Sequence, residues 1–155
     1  MASYHEGLKH CFHIGDLRIM KKAPYTGNSD SSAVFFIDEI KLMFPDMKIV
    51  IINRDYKDVL KSVKKDYDSP YTNYLVAATK TSKDYTQKHY QHLLIEFADI
   101  NERLDEIASY CIPSEKILKE RKNMLLDLKV EVSKDAYENV GVLVRDKIKE
   151  LLAYA

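Results

Sequence analysis

Glycine is scarce in this chain: there are four in 155 residues, Gly7, Gly15, Gly27 and Gly141. None is arranged as Gly-x-x-x-x-Gly-Lys-[Ser/Thr], so the chain has no loop of the kind whose backbone N–H groups cradle nucleotide phosphates. Only two cysteines are present, Cys11 and Cys111. That excludes a disulfide framework and makes a reducing, cytoplasmic compartment the expectation. Neither sign of charge is in excess: Lys+Arg and Asp+Glu both number 24. No net positive field draws the chain to nucleic acid or to an anionic membrane, although local basic clusters stay open. Long apolar runs are also missing, so no membrane span is expected. The opening Met-Ala-Ser-Tyr-His-Glu has no signal-peptide character. Repeats and low-complexity segments are absent, and the length suits one domain, 1–155, with a real core.

The most informative stretch runs from Ile49 to Ser62. Ile49-Val50-Ile51-Ile52 is a β-branched apolar run and reads as a buried strand. Asn53-Arg54-Asp55 turns the chain. Asp55 suits a helix N-cap, and Asp58 favours the positive end of the helix dipole. Tyr56, Val59, Leu60, Val63 and Tyr67 recur at helical spacing as an apolar face, with Lys57, Lys61, Lys64 and Lys65 elsewhere. The pattern is strand, tight turn and helix, with Arg54 at the strand's carboxyl end, where ligands bind in open α/β sheets. Ser62 lies about two turns into the helix. Its side chain leans towards the N-terminus, so a guanidinium and a hydroxyl converging there would suit a phosphate.

Around this unit, Phe12 and Ile14 alternate with polar neighbours, which suits a short strand, and Leu17 to Met20 reads as a strand. Thr26 to Asp30 has turn chemistry and reads as a loop. Asp30 or Ser31 caps a helix to about Phe44, with Phe36, Ile37, Ile40, Met43 and Phe44 inward. A helix is expected from Tyr71 to about Tyr90, with His89 and His92 on one helical face. Beyond it, two readings compete. The repeat Tyr90, Leu93, Phe97, Ile100, Leu104, Ile107, Cys111 suits one long helix from Ser82, whereas the continuous run Leu93 to Ile95 suits a central parallel strand. Ser114 caps a helix carrying Arg121 and Lys122, Leu128 to Val132 alternates like an edge strand, and Ser133 caps a last helix whose inward stripe includes Tyr137, Val140, Val144, Ile148 and Leu151. His5, His10, Cys11 and His13 resemble metal ligands in type, but their spacing matches no zinc pattern, and no metal is expected.

Several of these residues together resemble the sulfotransferase-like branch of P-loop proteins. They are Lys22-x-Pro24, a capped helix, Phe44-Pro45-Asp46-Met47-Lys48, the apolar strand, Arg54-Asp55-x-x-Asp58-Val59, and Ser62. Family members show Phe-Pro-x-Ala-Lys, a strand, Arg-Asp/Asn-Pro-x-Asp-Val and a Ser. Leu93 to Ile100 is similar to the family's later strand and acidic turn, which favours the strand reading. Arg121 to Lys129 follows a segment that begins Arg-Lys, without its glycines and tryptophan, and is closer to phage-encoded members.

The resemblance implies a three-layer, P-loop-like α/β fold, a parallel sheet flanked by helices, in an N-terminally shortened or degenerate form. It implies that Arg54 and Ser62 hold the 3′-phosphate of 3′-phosphoadenosine 5′-phosphosulfate, or of 3′-phosphoadenosine 5′-phosphate, with Lys22 and Arg121 also in the cofactor site. In the family's catalytic position this chain has Pro24 in place of a His, and Asp30, His13 and Glu96 are only formal candidates for a base. The family's first strand would lie between the strands at Ile49 and Leu93. Either those two close the gap, or the residues before Gly15 fill it, or a second copy or partner chain completes the sheet. Three functions stay open: a non-catalytic nucleotide- or anion-binding or protein-interaction module, an active sulfotransferase (alone or as half of a split enzyme), and an unrelated helical assembly protein.

Overall fold

The structure, a computed structural model, describes residues 2–5, 8, 11–18, 26–66, 72–112 and 142–153. In order the elements are β1 (Ala2–His5), a 3₁₀ turn (Ile14–Arg18), β2 (Thr26–Ser29), a 3₁₀ helix (Ser31–Phe36) running into α1 (Ile37–Met43), β3 (Val50–Asn53), α2 (Tyr56–Asp66), α3 (Thr72–His89), β4 (Leu93–Glu96), a 3₁₀ turn (Phe97–Asp99), α4 (Leu104–Cys111) and α5 (Val142–Ala153). The fold is mixed α/β.

The strands form two parallel pairs. β1 lies beside β2, with Ala2 opposite Thr26 and His5 opposite Ser29. β3 lies beside β4, with Val50 opposite Leu93 and Asn53 opposite Glu96. The apolar runs expected at 49–52 and 93–95 are therefore neighbours, and β3 and β4 pair directly. The long helix of the competing reading, from Ser82 through Cys111, does not form, and the strand reading holds. α3 stops at His89, the Leu93 amide donates to the Ile49 carbonyl at 2.9 Å, and the chain enters β4. His92 thus lies beyond the helix, within 2.8 Å of the Tyr90 carbonyl through Nδ1, and does not share a helical face with His89.

Three local expectations are corrected. Ile14, Leu17 and Arg18 lie in a 3₁₀ turn and Phe12 in the bend before it, not in strands, while Ile19 and Met20 of the expected Leu17–Met20 strand lie outside the described residues. The Asp16 carboxylate accepts from the amides of Phe12 (2.9 Å) and His13 (3.0 Å) and winds the chain locally. Those two bonds, the one from His13 foremost, hold its pKa below the usual carboxylate value. Thr26–Ser29 is a strand, not a loop, since its partner is the distant β1. The helix capped at Asp30 begins as 3₁₀ and becomes α only at Ile37.

Asp30 fastens this region. One carboxylate oxygen accepts from the Ser32 amide at 2.9 Å and from the Ser32 hydroxyl, and the other accepts from the Leu8 amide at 3.1 Å. Leu8 is fully buried and packs with Phe36, Ile40 and Val144, so α5 closes the same core. A second cluster of Ile37, Ile49 and Ile51 joins α1 to the β3 side, with Met47 and Tyr90 against it. Each such side chain contributes about 1.5–3 kcal/mol on burial. Of the stripe expected at Phe36, Ile37, Ile40, Met43 and Phe44, the first three are buried and the last two pack, partly buried, against the Leu8 cluster. Residues 113–141, including the expected elements at Ser114, Leu128–Val132 and Ser133, lie outside the described residues. No helix among the described residues is long and apolar enough to cross a membrane.

Candidate functional site

β3 ends at Asn53 and α2 begins at Tyr56, leaving two residues for the turn. Asp55 makes that turn a helix start. Its Oδ1 accepts from the Lys57 amide at 2.8 Å and the Asp58 amide at 3.4 Å, and its carbonyl accepts from the Val59 amide at 3.0 Å. Arg54 is thereby fixed at the carboxyl ends of two parallel strands, the position where an open α/β sheet takes its ligands.

Two layers of side chains stand there. Asn53 and Glu96 are register partners, and the Asn53 amide nitrogen donates to both Glu96 oxygens at 2.8 and 2.9 Å. The Asn53 amide oxygen accepts from the Lys83 ammonium at 2.6 Å. Arg54 and Phe97 follow directly, one residue past the end of each strand. There the Arg54 guanidinium stacks over the Phe97 ring, 4.8 Å from its centroid. Both are exposed, Phe97 at 52%. A guanidinium held over a ring keeps its edge N–H groups free to fork onto a phosphate.

Lys83 reaches the site because α3 is tied to α1. The Tyr85 hydroxyl donates to the Asp38 carboxylate at 3.2 Å, and the Tyr90 hydroxyl donates to the same carboxylate. The bond to Asp38, then desolvation, then the surrounding negative charge push the Tyr90 pKa up to about 12. Tyr85 is shifted the same way, by desolvation first and Asp38 second, and its ring lies 4.4 Å from that of His89.

Of the residues expected to bind a nucleotide, Arg54 is at the strand end. Ser62 is exposed on α2, about 9 Å along the axis from the first helical residue at 1.5 Å per residue. The contact the structure gives Arg54 is with Phe97, not with Ser62. Lys22 and Arg121 lie outside the described residues. Among the formal candidates for a base, Asp30 is engaged as a cap, Glu96 is held by Asn53, and His13 is exposed beside the Asp16 turn. Burial raises the pKa of both cysteine thiols, so neither is poised as a thiolate nucleophile. No group of three or more His, Cys, Asp or Glu among the described residues is placed to hold a metal ion.

Sequence reasoning missed Asn53, Lys83 and Phe97. Asn53 and Phe97 carried a signal, since both flank the ends of the expected parallel strands. Lys83 carried none, being 30 residues from Asn53 on a separate helix. No protein-family model, curated protein or solved structure matches the chain.

Proposed function

We propose that this protein is a non-catalytic, sulfotransferase-like module that binds a phosphorylated nucleotide or a related anion at the carboxyl ends of β3 and β4, on a P-loop-like three-layer scaffold. The observation that carries the reading is Arg54, exposed over Phe97 where two parallel strands give way to a 3₁₀ turn and a capped helix. The donor set suits one phosphate: a planar guanidinium with an aromatic ring beside it for a base or sugar. It does not suit the full grip on a sulfate donor, because the sequence has no Gly-rich loop for the 5′-phosphates.

Catalysis is left out of the reading for a physical reason. Sulfuryl transfer needs a base on the acceptor hydroxyl and positive charge on the leaving group. Asp30 and Glu96 already hold hydrogen bonds that fix the fold. Among the described residues the β3–β4 sheet has two strands and so two edges, and a second copy or a partner chain pairing with it is part of the same proposal.

Equilibrium titration with 3′-phosphoadenosine 5′-phosphate tests the reading. The expected result is saturable binding by the wild type that Arg54→Ala abolishes, with no sulfate transfer in a parallel assay. Equal binding by both proteins would remove Arg54 from the site. Transfer that depends on Arg54 would make the protein an enzyme.

A further inference from the structure

We infer that the exposed side of α2, together with Arg54 and Phe97, is a docking surface for single-stranded nucleic acid. Lys57, Lys61 and Lys64 recur at helical spacing and so share one side of α2. All three are exposed, whereas Tyr56, Val59, Leu60 and Val63 of the same helix are half-buried, and α2 packs against α3. At a rise of 1.5 Å per residue the three lysine positions span about 10 Å along the axis. Arg54, also exposed, stands immediately before the Asp55 cap, at the Lys57 end of the helix. Four cations thus follow one another from the end of β3 along α2.

These lysines differ from those on other helices. Lys80 on α3 holds Asp84 at 2.6 Å, and on α5 Lys147 holds Glu150 at 3.3 Å and Lys149 holds Asp146 at 3.5 Å. Among the described residues no carboxylate pairs with Lys57, Lys61 or Lys64, not even Asp58, three residues before Lys61. Their neighbours one turn away are each other, and like charges at that spacing weaken a helix. A row of cations with no internal counterpart suits a polyanion. Phe97 decides which one. It is 52% exposed, and the Arg54 guanidinium lies over its ring, so a ring and a guanidinium plane offer stacking to bases while the lysines meet phosphates. An acidic polypeptide has no use for a stacking platform. A membrane surface needs a helix with its apolar side turned outward, and that of α2 is half-buried. The surface shares Arg54 and Phe97 with the proposed nucleotide site, but it stands on the α2 lysines and does not depend on a free nucleotide binding there.

The test is fluorescence anisotropy of a labelled oligothymidylate of about 15 nucleotides, titrated with the full chain at several salt concentrations. The wild type is expected to bind with log K falling by about 2.8 per tenfold rise in salt, about 0.7 for each of four phosphate contacts on a single strand. Lys57→Gln, Lys61→Gln and Lys64→Gln combined should flatten that slope to about 0.7 and weaken binding on the order of a hundredfold at about 50 mM salt. Arginine at the same three positions should retain both affinity and slope. Phe97→Ala should weaken binding about fivefold or more with the slope unchanged, the signature of lost stacking. The triple glutamine variant should bind 3′-phosphoadenosine 5′-phosphate as the wild type does. A wild type that binds the oligonucleotide but not the free nucleotide therefore supports this inference and overturns only the reading above. No binding of the oligonucleotide at low salt, or binding that the triple glutamine variant retains, overturns the inference. So does equal affinity for polyglutamate, which would assign the surface to an acidic polypeptide, or tighter lysine-dependent binding to phosphatidylserine vesicles, which would assign it to a membrane.

Discussion

Replacing Asp30 by Ala removes a carboxylate that fastens two parts of the chain. One oxygen caps the Ser31–Phe36 helix through the Ser32 amide, and the other takes the amide of Leu8, a residue with no exposed surface. Loss of an N-cap costs about 1 kcal/mol. A buried amide left without its acceptor costs about 1–3 kcal/mol more. The expected destabilisation is thus about 2–4 kcal/mol, a large share of the roughly 5–15 kcal/mol that holds a domain together. Asp30→Asn keeps an acceptor for Ser32 but turns an amide group towards the Leu8 N–H. It should therefore fall between the wild type and Asp30→Ala, at about 1–2 kcal/mol. Urea unfolding followed by circular dichroism measures both, and the midpoint should move without a change in slope. A loss below about 0.5 kcal/mol for Asp30→Ala, the range of surface substitutions, would refute the reasoning. It would mean that Leu8 is not held to the helix start.

Other consequences follow from single contacts. Ile95 has no exposed surface, so Ile95→Ala should cost about 2–5 kcal/mol in the same unfolding experiment, and a smaller loss would mean that β4 is not a core strand. Asp55→Ala should cost about 0.5–2 kcal/mol through the α2 cap, whereas Asp55→Asn should be close to neutral. The bond to Asp38 foremost pushes the Tyr90 hydroxyl up to about 12 from an ordinary 10.0, so that bond is expected to contribute fully below pH 10 and to fade as pH rises towards 12. Asp38→Asn should bring that late step down in a tyrosinate absorbance titration. Tyr90→Phe identifies the step among the 11 tyrosines, and a step unmoved by Asp38→Asn would assign it to another residue.

Elements with a strong local signature were legible in the sequence. The run at 49–52 reads as a strand on its own residues, whereas at 93–95 periodicity alone favours a long helix and the resemblance decides for a strand; the two runs pair in parallel. Asp30 and Asp55 are short acceptors placed just before apolar periodicity, and both are caps. Features set by distant partners were not legible. Thr26-Gly27-Asn28-Ser29 has turn composition, yet it pairs with β1, more than 20 residues away. Leu17 sits in a strand-like run, but the Asp16 side chain captures two amides and wins locally. At the site, Arg54 was legible from its position at a strand end. Lys83 came from the fastening of α3 to α1 through Asp38, which no spacing in the sequence announces.

The most direct test of the central claim is an amide chemical-shift map of the protein with 3′-phosphoadenosine 5′-phosphate added. The account predicts that the largest changes fall at 53–58 and 96–99, with Lys83 among the rest, and that they vanish in Arg54→Ala. Changes gathered around the Leu8, Phe36 and Val144 core, or none at any attainable concentration, would contradict it.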